Sequence, residues 1–92
     1  MAECNREKYT EIAEKLKALS HPVRLCIVCR LSREATNVSG MLEKLQIHQT
    51  TLSHHLMLLR TAGIIEGARH GNEIYYSIRD EKVVALARTL CE

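Results

Sequence analysis

The chain has 92 residues, 46% of them hydrophobic, with neither Phe nor Trp and a formal net charge of +2. That length allows one small domain over residues 1–92, marginal alone and helped by a partner subunit, with Leu, Ile, Val and Ala doing the packing. No stretch approaches the ~18–20 consecutive apolar residues of a membrane span, and so small a charge permits a nucleic-acid partner without arguing for one.

The start, Met1-Ala2-Glu3-Cys4-Asn5-Arg6, is polar and lacks an apolar signal core, so a cytoplasmic location is expected. In that compartment the four cysteines suggest metal or redox chemistry more than structural disulfides.

From Arg6 to Ser20, Tyr9, Ile12, Leu16 and Leu19 fall at helical spacing, with Glu and Lys opposite. Ser20-His21-Pro22 ends this helix and begins another, because Pro suits the first helical position. The second helix, Pro22 to about Ser32, is apolar almost all round except at Arg24 and Arg30, which predicts a place in the middle of the domain. A polar stretch, Arg33 to Asn37, precedes a third helix from Val38 to Leu45 with Val38, Met41, Leu42 and Leu45 inward. After a break at Gln46-Ile47-His48, a fourth helix runs from about Gln49 to Thr61, with Leu52, Leu56 and Leu59 as its buried stripe. Ala62-Gly63 stops it.

The period then changes. Ile64 to Gly67 and Glu73 to Ile78 read as strands, joined by hairpin-turn chemistry at Arg69-His70-Gly71-Asn72. Asp80 caps a last helix, Glu81 to about Cys91, with Val83, Leu86, Ala87 and Leu90 on one face.

Two short helices across a tight turn, followed by a β-hairpin, make a winged helix-turn-helix: mainly α with a two-stranded β-wing. With Leu52 inward, steps of ~100° turn Thr50, Ser53, His54 and Met57 outward, with Gln49 and Thr51 beside them. Gln pairs bidentately with adenine, and Ser, Thr and His reach bases or phosphates. The alternative is an ordinary solvated helix face. Arg69, His70 and Asn72 at the hairpin tip are candidates for phosphate or minor-groove contact, against the plainer role of a connecting turn.

Leu19-Ser20-His21-Pro22-Val23-Arg24-Leu25, the run from Gln49 to Ile65, and Gly71-Asn72-Glu73-Ile74-Tyr75-Tyr76-Ser77-Ile78 together resemble the ArsR/SmtB repressors. The resemblance covers nearly the whole chain, in the correct order. It implies a homodimer built from the first and last helices, a two-fold symmetric double-stranded operator, and repression relieved by an inducer. Two positions depart from the family pattern: Gln46 stands where a turn Gly is common, and His48 where a Ser usually caps the recognition helix. His48 is therefore expected to cap or to face phosphate.

The family's sensor sites are checked residue by residue. A zinc site on the last helix needs Asp and His; Asp80 is present, but no His lies between Ser77 and Glu92. The Cys-x-Cys pair of the arsenic and cadmium type is replaced by Asn37-Val38-Ser39-Gly40. Arg24-Leu25-Cys26-Ile27-Val28-Cys29 resembles the second helix of the persulfide-sensing branch, which pairs such a cysteine with one on the last helix; Cys91 is the candidate. Cys91 lies about a turn earlier than that branch's usual position. A turn is ~5.4 Å of rise, more than a disulfide tolerates without backbone adjustment, whereas a polysulfide bridge spans more.

Three readings of the thiols stay open. Cys29 and Cys91 serve a redox or persulfide sensor; or Cys26 and Cys29, three apart on one helix, hold a thiophilic metal or metalloid inducer with Cys91 or Cys4; or the cysteines are small apolar fillers. No cofactor is required in any of them. Adjacent His54 and His55 point ~100° apart and do not grip one ion; His54 is read as DNA-facing and His55 as packing or helix surface.

An enzyme is not expected, for no phosphate loop, paired carboxylates or nucleophile elbow appears. The spacing of Cys26 and Cys29 fits a thioredoxin-type motif, but its surroundings are helical. The remaining rival is a winged-helix protein-interaction module.

Overall fold

His21 and Pro22 decide where the first two helices part. In the computed structural model, which describes residues 4–91, α1 (Arg6–Leu19) ends at Ser20 and α2 (Pro22–Leu31) begins at once. His21 is extended at φ −158°, and its Nδ1 accepts the N–H of Val23 at 3.1 Å, filling one of the open donors of the helix start. The reading of Met1, Ala2 and Glu3 lies outside the described residues, as does Glu92.

Then follow β1 (Thr36–Asn37), α3 (Val38–Leu45), α4 (Gln49–Thr61), β2 (Ile65–His70), β3 (Glu73–Ile78) and α5 (Glu81–Leu90). Asn37 caps α3 by accepting from Gly40 N at 2.9 Å, and Asp80 caps α5 by accepting from Lys82 N at 2.9 Å. Gly63, at φ +75°, follows α4, and Ile64 N closes back onto Leu59 O at 3.0 Å.

The sheet is antiparallel in the order β1-β3-β2: the expected two-stranded wing, β2 and β3, is joined along the β3 edge by the short β1. Thr36 pairs with Tyr76 and Asn37 with Tyr75, drawing the end of the polar stretch into the sheet. The hairpin turn is also tighter than expected. Arg69 and His70 belong to β2, paired with Ile74 and Glu73, which leaves Gly71-Asn72 as the turn. Gly71, at φ +64°, holds the first turn position, where glycine serves this kind of hairpin.

The core joins Ile27, Val28 and Leu31 of α2 to Met41, Leu52, Leu56, Leu59, Ile64 and Ile65. Val83 and Ala87 of α5 close it from the far side. α2 packs against α1, α3, α4, α5 and β3, as a central helix should. It is not covered all round, however. Leu25 and Cys26 are exposed, for no element among the described residues covers that strip. α1 is still more open, with Tyr9 54% and Leu16 51% exposed, and Leu90 of α5 stands at 63%. Lys15 of α1 forms a salt bridge to Asp80, tying the first helix to the start of the last.

Candidate nucleic-acid interface and cysteine pair

α3 and α4 meet across Gln46-Ile47-His48. Gln46 adopts the left-handed conformation at φ 54°, ψ 47°, doing the work usually given to glycine, while its N–H bonds Leu42 O at 2.9 Å. His48 is the N-cap of α4 but makes no side-chain cap bond; it is exposed. Its role as a cap is therefore not seen.

Leu52, His55, Leu56 and Leu59 of α4 are buried. Gln49, Thr50, Thr51, Ser53, His54 and Met57 are all exposed, so the six residues form one outward surface. Its chemistry is amide, hydroxyl and imidazole, with one thioether, on a helix start whose open N–H groups favour phosphate.

The wing supplies Arg69, His70 and Asn72, all exposed. The His70 ring stands edge-on to Tyr75, 5.4 Å between centroids and 87° between planes, which restrains its direction. Asn37 Nδ2 donates to Glu73 Oε1 at 2.7 Å, so the cap of α3 also holds the wing.

Sequence reasoning missed what lies beneath α4. His55 is buried at 6% exposure, its Nδ1 3.2 Å from Arg24 Nη1 and its ring centroid 4.6 Å from that of His21. Burial holds its pKa below the ordinary 6.5, and His21, Arg24 and His54 push the same way. Spacing offered half of this: three residues from Leu52, His55 falls near the buried stripe. Nothing in the spacing named its partners.

Cys29 of α2 and Cys91, the C-cap of α5, form a disulfide with Cα atoms 6.0 Å apart. The expected one-turn mismatch is thus absent. Cys91 has left the helix, at φ −100° and ψ 8°, and sits where a direct bond needs no polysulfide spacer. Val28, Val83, Ala87 and Leu90 surround the pair. Cys26 and Cys4 are free and exposed. The structure does not bring Cys26 into a set with the pair: among the described residues no three His, Cys, Asp or Glu side chains converge as metal ligands. The physical reason is that Cys26 lies on the uncovered strip of α2 while Cys29 turns toward α5.

Comparison with known proteins agrees with this architecture. The family described as "Bacterial regulatory protein, arsR family" matches residues 21–66. The "Biofilm growth-associated repressor" of Agrobacterium fabrum is 38% identical over 84 residues, covering 91% of this chain and 72% of that protein. The crystal structure of the transcriptional repressor PagR of Bacillus anthracis superposes with a TM-score of 0.86 at 37% identity, over 94% of this chain and 99% of that one. A homodimeric winged helix-turn-helix DNA-binding domain from Mycobacterium bovis gives 0.83 at 29% identity, over 99% and 87%.

Proposed function

The chain belongs to the arsR family of bacterial regulatory proteins, and from that premise we propose that it is a transcriptional repressor switched by thiol oxidation. It binds a two-fold symmetric operator as a homodimer. α4 enters the major groove with Gln49, Thr50, Thr51, Ser53 and His54, and Arg69, His70 and Asn72 of the wing meet the flanking backbone. The dimer reading is supported by the open apolar face of α1 and by Leu90, which water would otherwise cover, and by the homodimeric relative.

The inducer rests on one observation, the closed Cys29–Cys91 pair. With a persulfide donor, the Cys29 thiolate takes the terminal sulfur and the donor leaves as a thiol. Cys91 then attacks the inner sulfur of the Cys29 persulfide and expels hydrosulfide, leaving the disulfide. The bond clamps α2 to the end of α5. Since α5 belongs to the proposed dimer contact, the clamp changes how the two recognition helices are spaced, and the operator is released.

The test is fluorescence anisotropy of the reduced protein on the DNA upstream of its own gene, with chelator present, before and after a polysulfide donor. Loss of affinity that dithiothreitol restores, and that Cys29→Ser or Cys91→Ser abolishes, supports the reading. Unchanged tight binding removes the thiol switch. A protein-interaction module is told apart by salt, because log affinity for DNA falls steeply with log salt as counterions are released.

A further inference from the structure

His21, Arg24 and His55 meet where the start of α2 crosses α4, and neither the DNA face nor the cysteine pair uses them. A backbone N–H and a guanidinium only donate. His21 Nδ1, accepting from Val23 N at 3.1 Å, is therefore bare, and so is His55 Nδ1, facing Arg24 Nη1 at 3.2 Å. With Nδ1 facing a donor, the proton of the His55 ring is on Nε2. Arg24 Nε also donates to Ala18 O at 2.5 Å, so one guanidinium joins the end of α1 to the recognition helix.

A second proton on either ring has nowhere favourable to go. On His55 Nδ1 it meets the Arg24 donors; on His21 Nδ1 it displaces the cap of α2. The groups facing the cluster are cationic or neutral: Arg24 and His21 from α2, the Ala18 carbonyl from α1, and His54 beside it on α4. Among the described residues no carboxylate pairs with any of the three.

We propose that His21, Arg24 and His55 position the recognition helix and make DNA binding acid-labile, because a second proton at His55 Nδ1 drives Arg24 off α4. The inference rests on α4 being the DNA-reading helix. Burial, His21, Arg24 and His54 all keep the His55 proton off until the pH falls below the ordinary histidine value of 6.5, so the cluster is intact at neutral pH. The sign is diagnostic. Positive charge gained on a DNA-facing surface strengthens binding to phosphate. Buried His55 works in the opposite sense.

The experiment compares the reduced full chain with a His21→Asn/His55→Asn double variant. Asn Oδ1 takes the place of the accepting Nδ1 without titrating, and Asn is a good N-cap. The probe is a duplex that the chain itself enriches from a random-sequence pool at about pH 7.5, with ionic strength fixed as pH is lowered to about 5.5. The wild type is expected to lose about tenfold in affinity, the equivalent of one unit of differential protonation, while the double variant holds or gains. Wild-type affinity that is unchanged or rises in acid overturns the proposal, as does an equal loss in the variant.

Imidazole nitrogen NMR of the wild type supplies a reading independent of DNA and of the variant's folding. A neutral His55 with its proton on Nε2, titrating below the ordinary 6.5, is the expected result. A proton on Nδ1, or titration at or above 6.5, overturns the proposal even if affinity falls. Failure to enrich any duplex at neutral pH instead sinks the DNA-binding reading, and the proposal with it, while the NMR result still describes the cluster.

Discussion

Cys29 and Cys91 are separated by 62 residues of chain, yet their Cα atoms stand 6.0 Å apart. Closing a loop of that length removes conformations from the unfolded chain, worth about 4 kcal/mol in the chain-entropy account. The oxidised protein is therefore expected to unfold at a clearly higher urea concentration than the reduced one. In Cys91→Ser the two curves are expected to coincide. Urea titrations with and without dithiothreitol read this directly; coincident wild-type curves would mean the bridge adds nothing to stability.

Ser53 and His54 are exposed on α4 beside Thr50 and Gln49. Each lost base or phosphate contact costs about 1–3 kcal/mol, so Ser53→Ala and His54→Ala should each weaken operator binding by roughly 5- to 150-fold. Because neither side chain enters the core, thermal stability and oligomeric state should not move. Anisotropy and sedimentation on the same samples separate the two effects.

Gln46 occupies a left-handed conformation at φ 54°. For a residue with a Cβ that conformation costs about 1–2 kcal/mol, while the extra freedom of glycine in the unfolded chain returns about 0.4–1 kcal/mol. Gln46→Gly is thus expected to stabilise the protein, by roughly 0.5–1 kcal/mol. Its urea midpoint should rise at unchanged slope.

Asp80 accepts from Lys82 N at the start of α5 and pairs with Lys15 of α1. The Lys15 hydrogen bond is the chief cause of its pKa lying below the ordinary 3.8, and the Lys82 N–H adds to it, while partial burial opposes both. A lowered carboxylate contributes stability that is present above 3.8 and is lost as pH falls through the lower folded value. Asp80→Ala should cost about 1 kcal/mol, near 4–8 °C in Tm for a domain of this size. That deficit should shrink in strong acid, where the wild-type carboxyl is itself protonated. Thermal melts at neutral and acid pH test both statements.

The helix limits were legible because their ends carry chemistry: Pro22 opens α2, Asp80 caps α5, and Gly63 stops α4. The outward residues of α4 were legible from helical rotation about Leu52 alone. β1 was not. Two residues have no measurable period, and Thr36-Asn37 is a strand only because β3 offers an edge to pair with. The His21–Arg24–His55 cluster escaped for a related reason, since its contact spans 31 residues and depends on how α2 crosses α4. The pairing of Cys29 with Cys91 came from family resemblance; that the pair closes directly depends on the chain leaving the helix at Cys91.

Asn37 accepts from Gly40 N with its Oδ1 and donates to Glu73 with its Nδ2, while its backbone pairs with β3. One amide therefore fastens the wing to the first helix of the DNA-reading unit. A wing held this way is expected to keep its place against α3 when the duplex binds. In the proposed complex, helix and hairpin act as a stencil with fixed spacing between the groove read by α4 and the backbone met by the wing. Operators that differ between half-sites can be met by adjusting two subunits, but a base pair inserted within a half-site moves the duplex out from under one end of the stencil.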